Sequence, residues 1–154
     1  MEGGFRAITT VLEELLRNAK RDVIITVYLV RNGDLMRQVE DLLSRGVMVH
    51  LIFNDWTGQP PPVRRELQSL ATKYAGLFVY DFQGRPGQEV LHAKALAVDG
   101  SLAMIGSANL STAAMLWNYE LAVTVEGETA EGVSRLLYHL AGSELCRRII
   151  PAES

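Results

Sequence analysis

A chain of 154 residues, 48% hydrophobic and 21% charged, has the balance of a globular protein with a core of its own, which excludes a disordered or fibrous chain. A net charge of −3 argues against tight nucleic-acid binding through bulk charge, while leaving room for a local basic groove. The single cysteine, Cys146, excludes an internal disulfide framework and a cysteine-based zinc site.

The N-terminal stretch MEGGFRAITT carries an acidic residue and no apolar segment, so it does not read as a secretory signal. Residues 5–20 place Ile8, Val11, Leu12, Leu15, Leu16 and Ala19 at helical spacing, and a capping box at Thr10 and Glu13 offers a later start. Residues 22–30 are rich in β-branched residues and predict a buried strand. Val23–Val30 is the strongest apolar run and is too short to span a bilayer as a helix, so a soluble, cytoplasmic protein with no membrane segment is expected. A helix follows over residues 34–45, stopped at Gly46, and then a strand over 47–53. The prolines at 60–62 predict a loop over 54–62, with a helix over 63–74 and a strand over 77–82. A loop over 83–89 leads to strands over 91–98 and 102–107. A short loop or helix over 110–117, a strand over 119–126 and a closing helix over 129–145 complete the chain. The expected fold is a single α/β domain over 1–154, a mixed sheet sandwiched between helices.

Chemistry concentrates in residues 92–109, HAKALAVDGSLAMIGSAN. On a strand, His92 and Lys94 share a face. Asp99-Gly100 is a two-residue hairpin signal, which sets Val98 opposite Ser101, Ser107 opposite His92 and Gly106 opposite Ala93. Asn109 joins the same face if the strand continues, and the bare Gly106 leaves space for a close approach. An imidazole, an ammonium, a hydroxyl and a carboxamide together suit a phosphate: Lys94 supplies charge, Ser107 and Asn109 donate hydrogen bonds, and His92 is the group able to act as nucleophile or general acid near neutral pH. Such a histidine needs an acceptor to fix its tautomer. Asn118 and Glu120 stand with matching parity on the next strand, and Glu120 is the chosen acceptor.

These residues resemble the signature of the phospholipase D superfamily, the HKD motif: H-x-K, four residues, D, six residues, G-S-x-N. His92, Lys94, Asp99, Gly106, Ser107 and Asn109 fill all six positions. The trailing Asn118-x-Glu120 is also similar, as is the stretch from Asp22 to Phe53, so the resemblance covers most of the chain. Most members carry the motif twice; this chain has it once. The small single-motif members it resembles are nucleases that form homodimers, with both motifs across a two-fold axis. The resemblance implies a metal-independent phosphodiesterase. One His92 attacks phosphorus to give a phosphohistidine, and the other protonates the leaving oxygen and then activates water. Both Lys94 side chains, with Ser107 and Asn109, hold the nonbridging oxygens, and Glu120 orients a histidine of its own or the partner chain. Asp99, Gly106 and Asn118 are read as structural. Nucleic acid is the expected substrate and partner.

Each of these readings has a plainer rival. Ser107 and Asn109 are also suited to capping a turn. His50 reads as a core or edge residue and His139 as a surface one. Trp56 and Trp117 flank the active strands, where they would either stack on bases or simply pack. Arg64, Arg65, Lys73 and Arg85 either line a groove or form a solvated face. No His, Cys, Asp and Glu set has ligand spacing, so neither metal nor cofactor is expected. The competing functions are a phospholipase D-type lipid hydrolase or transphosphatidylase, which would need an apolar access surface, and a non-enzymatic interaction module of the same fold.

Overall fold

The computed structural model describes residues 8–30, 33–85, 87–108 and 120–152. In chain order the elements are α1 (Ile8–Asn18), β1 (Asp22–Val27), α2 (Asp34–Ser44), β2 (Met48–Phe53), α3 (Pro61–Lys73), β3 (Leu77–Phe82), β4 (Lys94–Val98), β5 (Leu102–Gly106), β6 (Ala122–Glu126), α4 (Glu128–Ala141) and β7 (Cys146–Ile150). The predicted segment over 110–117, Trp117, and the candidate residues Asn109 and Asn118 lie outside the described residues.

The strands form one seven-stranded sheet in the order β6-β5-β4-β1-β2-β3-β7. β1, β2 and β3 run parallel, and the other neighbouring pairs are antiparallel, which gives the expected mixed sheet. Side chains alternate between two cores. Val23, Ile25 and Val27 of β1 join Val49, Leu51 and Phe53 of β2 beneath α1, α2 and α3. Ile24 and Ile52 turn the other way, onto Ala130, Leu137 and Ala141 of α4. β1 and β2 are buried on both faces, which is why they read as continuous apolar runs.

The ends of these elements have local causes. Gly46 takes φ +80° just past α2, its N–H donates to Leu43 O, and Val47 N–H donates to Leu42 O. That pairing closes the helix and requires a left-handed residue at 46. α3 begins at Pro61, two residues before the expected start: a proline in the first helical turn loses no hydrogen bond, so the proline run starts the helix it was expected to exclude. The closing helix stops at Ala141 rather than 145, and Cys146–Ile150 forms an edge strand against β3 that the sequence reading missed. None of the described helices is long and apolar enough to cross a membrane.

Candidate active site

The parallel strands end, and β4 begins, at one end of the sheet, where His92, Lys94, Ser107 and Glu120 lie, while Asp99 lies at the other. Their arrangement departs from the expected hairpin. β4 starts at Lys94, so His92 precedes the strand instead of lying within it. The Asp99-Gly100 turn forms, with φ +54° and +67° and Ser101 N–H donating to Val98 O at 3.1 Å, but past it Val98 pairs with Leu102 and Lys94 with Gly106, so one extra residue on the β5 side moves every predicted pair by one position. Ser107 therefore does not face His92, and Gly106 faces Lys94 instead of Ala93.

Asp99 fastens this turn to the neighbouring strand. It adopts φ +54°, and its carboxylate reaches across to the start of β1, where Oδ1 accepts from Arg21 N–H (2.7 Å) and Asp22 N–H (3.1 Å) and Oδ2 from Lys20 N–H (2.9 Å). Burial alone would raise its pKa. The backbone donors of Arg21, Asp22 and Lys20 outweigh that and hold it below the ordinary carboxylate value.

At the other end of β4 the side chains converge. Lys94 Nζ lies 2.9 Å from His92 Nε2 and donates to His92 O at 2.8 Å. An ammonium has only donors, so Nε2 accepts here and the ring proton belongs on Nδ1. Tyr28, just past β1, sets its ring edge-on to His92 at 5.2 Å between centroids and beneath Lys94 Nζ at 5.3 Å. Burial lowers the pKa of Lys94 and the negative charge of Glu120 acts against it, leaving the ammonium easier to deprotonate than an ordinary lysine. His92 is exposed.

Ser107 and Glu120 form a second group. The Ser107 hydroxyl donates to Glu120 Oε2 and accepts from Leu121 N–H at 3.1 Å. The acceptor expected for His92 thus serves Ser107 within this subunit. Gly106 lacks a side chain because β6 comes close: a Cβ there would sit 2.6 Å from Leu121 O and 2.8 Å from Ala122 Cβ. The space foreseen at Gly106 is filled by the protein's own strand.

The remaining candidates separate from the site. Trp56 is buried and packs edge-on against Phe53 at 5.4 Å, so it is a core residue with no face for a ligand. His50 lies under α4, stacked on Phe78 at 4.6 Å and edge-on to Tyr138 at 5.0 Å, its pKa lowered by burial against the opposing charge of Asp22. His139 is exposed. Lys73 pairs with Glu40 at 3.0 Å and Arg85 with Glu89 at 2.7 Å. Arg65 is exposed, and the buried Arg64 Nε has no hydrogen-bond partner among the described residues. No group of three or more His, Cys, Asp or Glu among the described residues is arranged to hold a metal ion. Sequence reasoning overlooked Tyr28, Thr26 and Asn54. Thr26 did carry a signal, since a hydroxyl in the middle of the apolar run 23–27 must find a partner when buried.

Comparison with known proteins fits this architecture. A family model described as cardiolipin synthase, PLD-like domain, matches residues 12–139. The chain is 26% identical over 149 residues to the DISARM protein DrmC of Bacillus paralicheniformis, covering 94% of this chain and 60% of that protein. It is 32% identical over 113 residues to cardiolipin synthase A of Buchnera aphidicola, covering 71% of this chain and 22% of that protein. The chain thus spans about three fifths of the first relative and about a fifth of the second. Among solved structures, Nuc from Salmonella typhimurium, a phospholipase D family member, superposes with a TM-score of 0.74 at 20% identity, covering 91% of this chain and 89% of that one. NucT from Helicobacter pylori gives 0.74 at 23% identity, with 90% and 88% covered. At such identities the superpositions speak for the fold. The family model spans most of the chain, and with it this mixed-sheet protein belongs to the phospholipase D superfamily of phosphodiesterases.

Proposed function

We propose that the chain is one half of a metal-independent nuclease, a homodimer that cleaves a nucleic-acid phosphodiester through a phosphohistidine on His92. One observation carries the reading: an exposed imidazole with an ammonium 2.9 Å from its Nε2, at the end of the sheet where the parallel strands open. In the resting subunit Lys94 occupies the Nε2 lone pair. An arriving phosphate offers the ammonium a stronger, anionic acceptor, and its transfer to a nonbridging oxygen frees Nε2 for attack.

The chemistry then needs a second imidazole. Nε2 forms a bond to phosphorus as the P–O bond to the leaving group breaks, and His92 of the partner subunit gives that oxygen its proton. Water next attacks phosphorus, the partner imidazole takes the water's proton, and the N–P bond breaks to free the enzyme. Charge on the nonbridging oxygens is met by Lys94 of both subunits and by hydrogen bonds from Ser107 and Asn109. Glu120 orients a histidine of its own or the partner chain, with Ser107 holding it in place meanwhile. His50 and His139 lie elsewhere, so symmetry is the economical source of the second imidazole. Support for a nuclease comes from size: the chain spans nearly all of Nuc and NucT, and the small single-motif members it resembles are dimeric nucleases.

A second reading has its own observation. Leu121 (71% exposed), Val123 (53%) and Val90 (65%) present apolar surface around the site, and Arg85 is already paired with Glu89. A lipid phosphodiester would use such surface. Single-stranded DNA, duplex DNA, RNA and anionic phospholipid vesicles, each incubated with the protein in EDTA, separate the two. Nucleic-acid cleavage that His92→Ala abolishes is expected. Cleavage of phospholipid alone would install the lipid reading, and a strict need for added magnesium would overturn both.

A further inference from the structure

β1 and β4 pair through their backbones at Val23–Val98, Ile24–Ala97 and Ile25–Leu96, and the ladder goes no further. Beyond it a side chain takes over. Thr26 is 2% exposed, and its hydroxyl donates to Ala93 O at 2.7 Å while accepting from Ala95 N–H at 2.9 Å. The backbone on either side of Lys94 is therefore held to β1 by one hydroxyl where the ladder has ended. Upstream, Leu91 N–H donates to Asn54 Oδ1 at 2.7 Å, and Asn54 is itself tied to β1 through its N–H to Val27 O at 3.1 Å. His92 lies between these two anchors. A buried hydroxyl with both donor and acceptor used leaves no slack, because losing it strands two backbone groups.

We infer that Thr26 and Asn54 are positioning residues, clamping segment 91–95 from its two sides so that His92 Nε2 and Lys94 Nζ are held together where one phosphate can reach both. Neither touches the reacting atoms. Thr26 holds the backbone on either side of Lys94 where the ladder has ended, and Asn54 fixes the chain just before His92. The inference rests on the site proposed above, but its first readout needs no substrate.

The test is the ¹⁵N resonance of His92 Nε2 in imidazole-labelled protein, recorded where the ring is neutral, together with turnover of bis(p-nitrophenyl) phosphate. Thr26→Val keeps the shape and removes both bonds. It is expected to move the Nε2 resonance toward that of free imidazole and to lower kcat roughly 10- to 100-fold, with KM within about threefold. Thr26→Ser keeps the hydroxyl and restores both. Asn54→Ala is expected to do the same as Thr26→Val more weakly, with Asn54→Asp as its rescue, and it carries the test if Thr26→Val does not fold. A folded Thr26→Val or Asn54→Ala protein with the wild-type resonance and kcat would overturn the inference. A moved resonance in a protein whose wild type cleaves no phosphodiester would uphold the clamp and sink the nuclease reading instead.

Discussion

The two ends of the β4–β5 hairpin hold their charged residues in opposite ways. At the turn, the carboxylate of Asp99 accepts three backbone N–H groups from the start of β1, and Asp99 N–H donates back to Asp22 O. At the other end, the polar contacts of His92 and Lys94 among the described residues are with each other, beside the ring of Tyr28. A single sequence signature therefore holds two kinds of residue, Asp99 tied to backbone ahead of β1 and His92 with Lys94 tied to each other.

Substitutions at the two ends should break different things. The largest effect is expected from His92→Ala, a loss of phosphodiester cleavage of about 10⁴-fold or more, with a thermal midpoint within about 2 °C of wild type because the ring is exposed. Steady-state kinetics and a melt on one preparation check both. Lys94→Met should cost about 10²- to 10³-fold in kcat. Because the pKa of Lys94 is lowered, the wild-type rate should fall on the alkaline side before an ordinary lysine near 10.4 would titrate, and Lys94→Arg should remove that limb from the pH–rate profile.

The turn should show the reverse. Asp99→Ala strands the backbone donors of Lys20, Arg21 and Asp22 and is expected to cost about 2 kcal/mol in urea unfolding, with little change in kcat per folded molecule. Its pH signature has a definite sign. The folded-state pKa lies below the unfolded one, so the stabilisation is present above about pH 3.9 and is lost as pH falls through the folded value, and Asp99→Ala should lack that loss. A large fall in kcat for Asp99→Ala would erase the distinction between the ends. The smallest effect belongs to His50, which lies under α4 and bonds neither Asp99 nor the His92–Lys94 pair. Its pKa is depressed by burial, so the unfolded chain binds its proton first and stability should slip as pH drops below about 6.5; His50→Phe should flatten that slope without altering cleavage.

The sequence was legible where local pattern and final environment agree. The helices α1 and α2 and the parallel strands read correctly because their apolar spacing is the spacing of the core. It was opaque where a distant partner decides. The Asp99-Gly100 turn forms as its local signal says, but the pairing past it is one residue out of the expected register, and with that the expected His92–Ser107 pairing is lost. β7 was hidden because Cys146–Ile150 carries Arg147 and Arg148 on an edge strand, with no alternation strong enough to separate it from a helix tail. His92, Lys94, Ser107 and Glu120 were all marked in advance and lie at one end of the sheet. Their groupings, His92 with Lys94 and Ser107 with Glu120, follow from where β4 begins and from how β6 closes on β5, which strand parity alone does not give.

The central claim is that imidazoles from two copies of the chain act on one phosphorus atom, and a trapped intermediate tests it most directly. Protein mixed with a phosphodiester in EDTA, quenched in alkali to preserve the N–P bond and digested for mass spectrometry, should carry the phosphoryl adduct on His92 at no more than one per two chains. An adduct on another residue, or one on each chain of a species that sediments as a monomer, would contradict it.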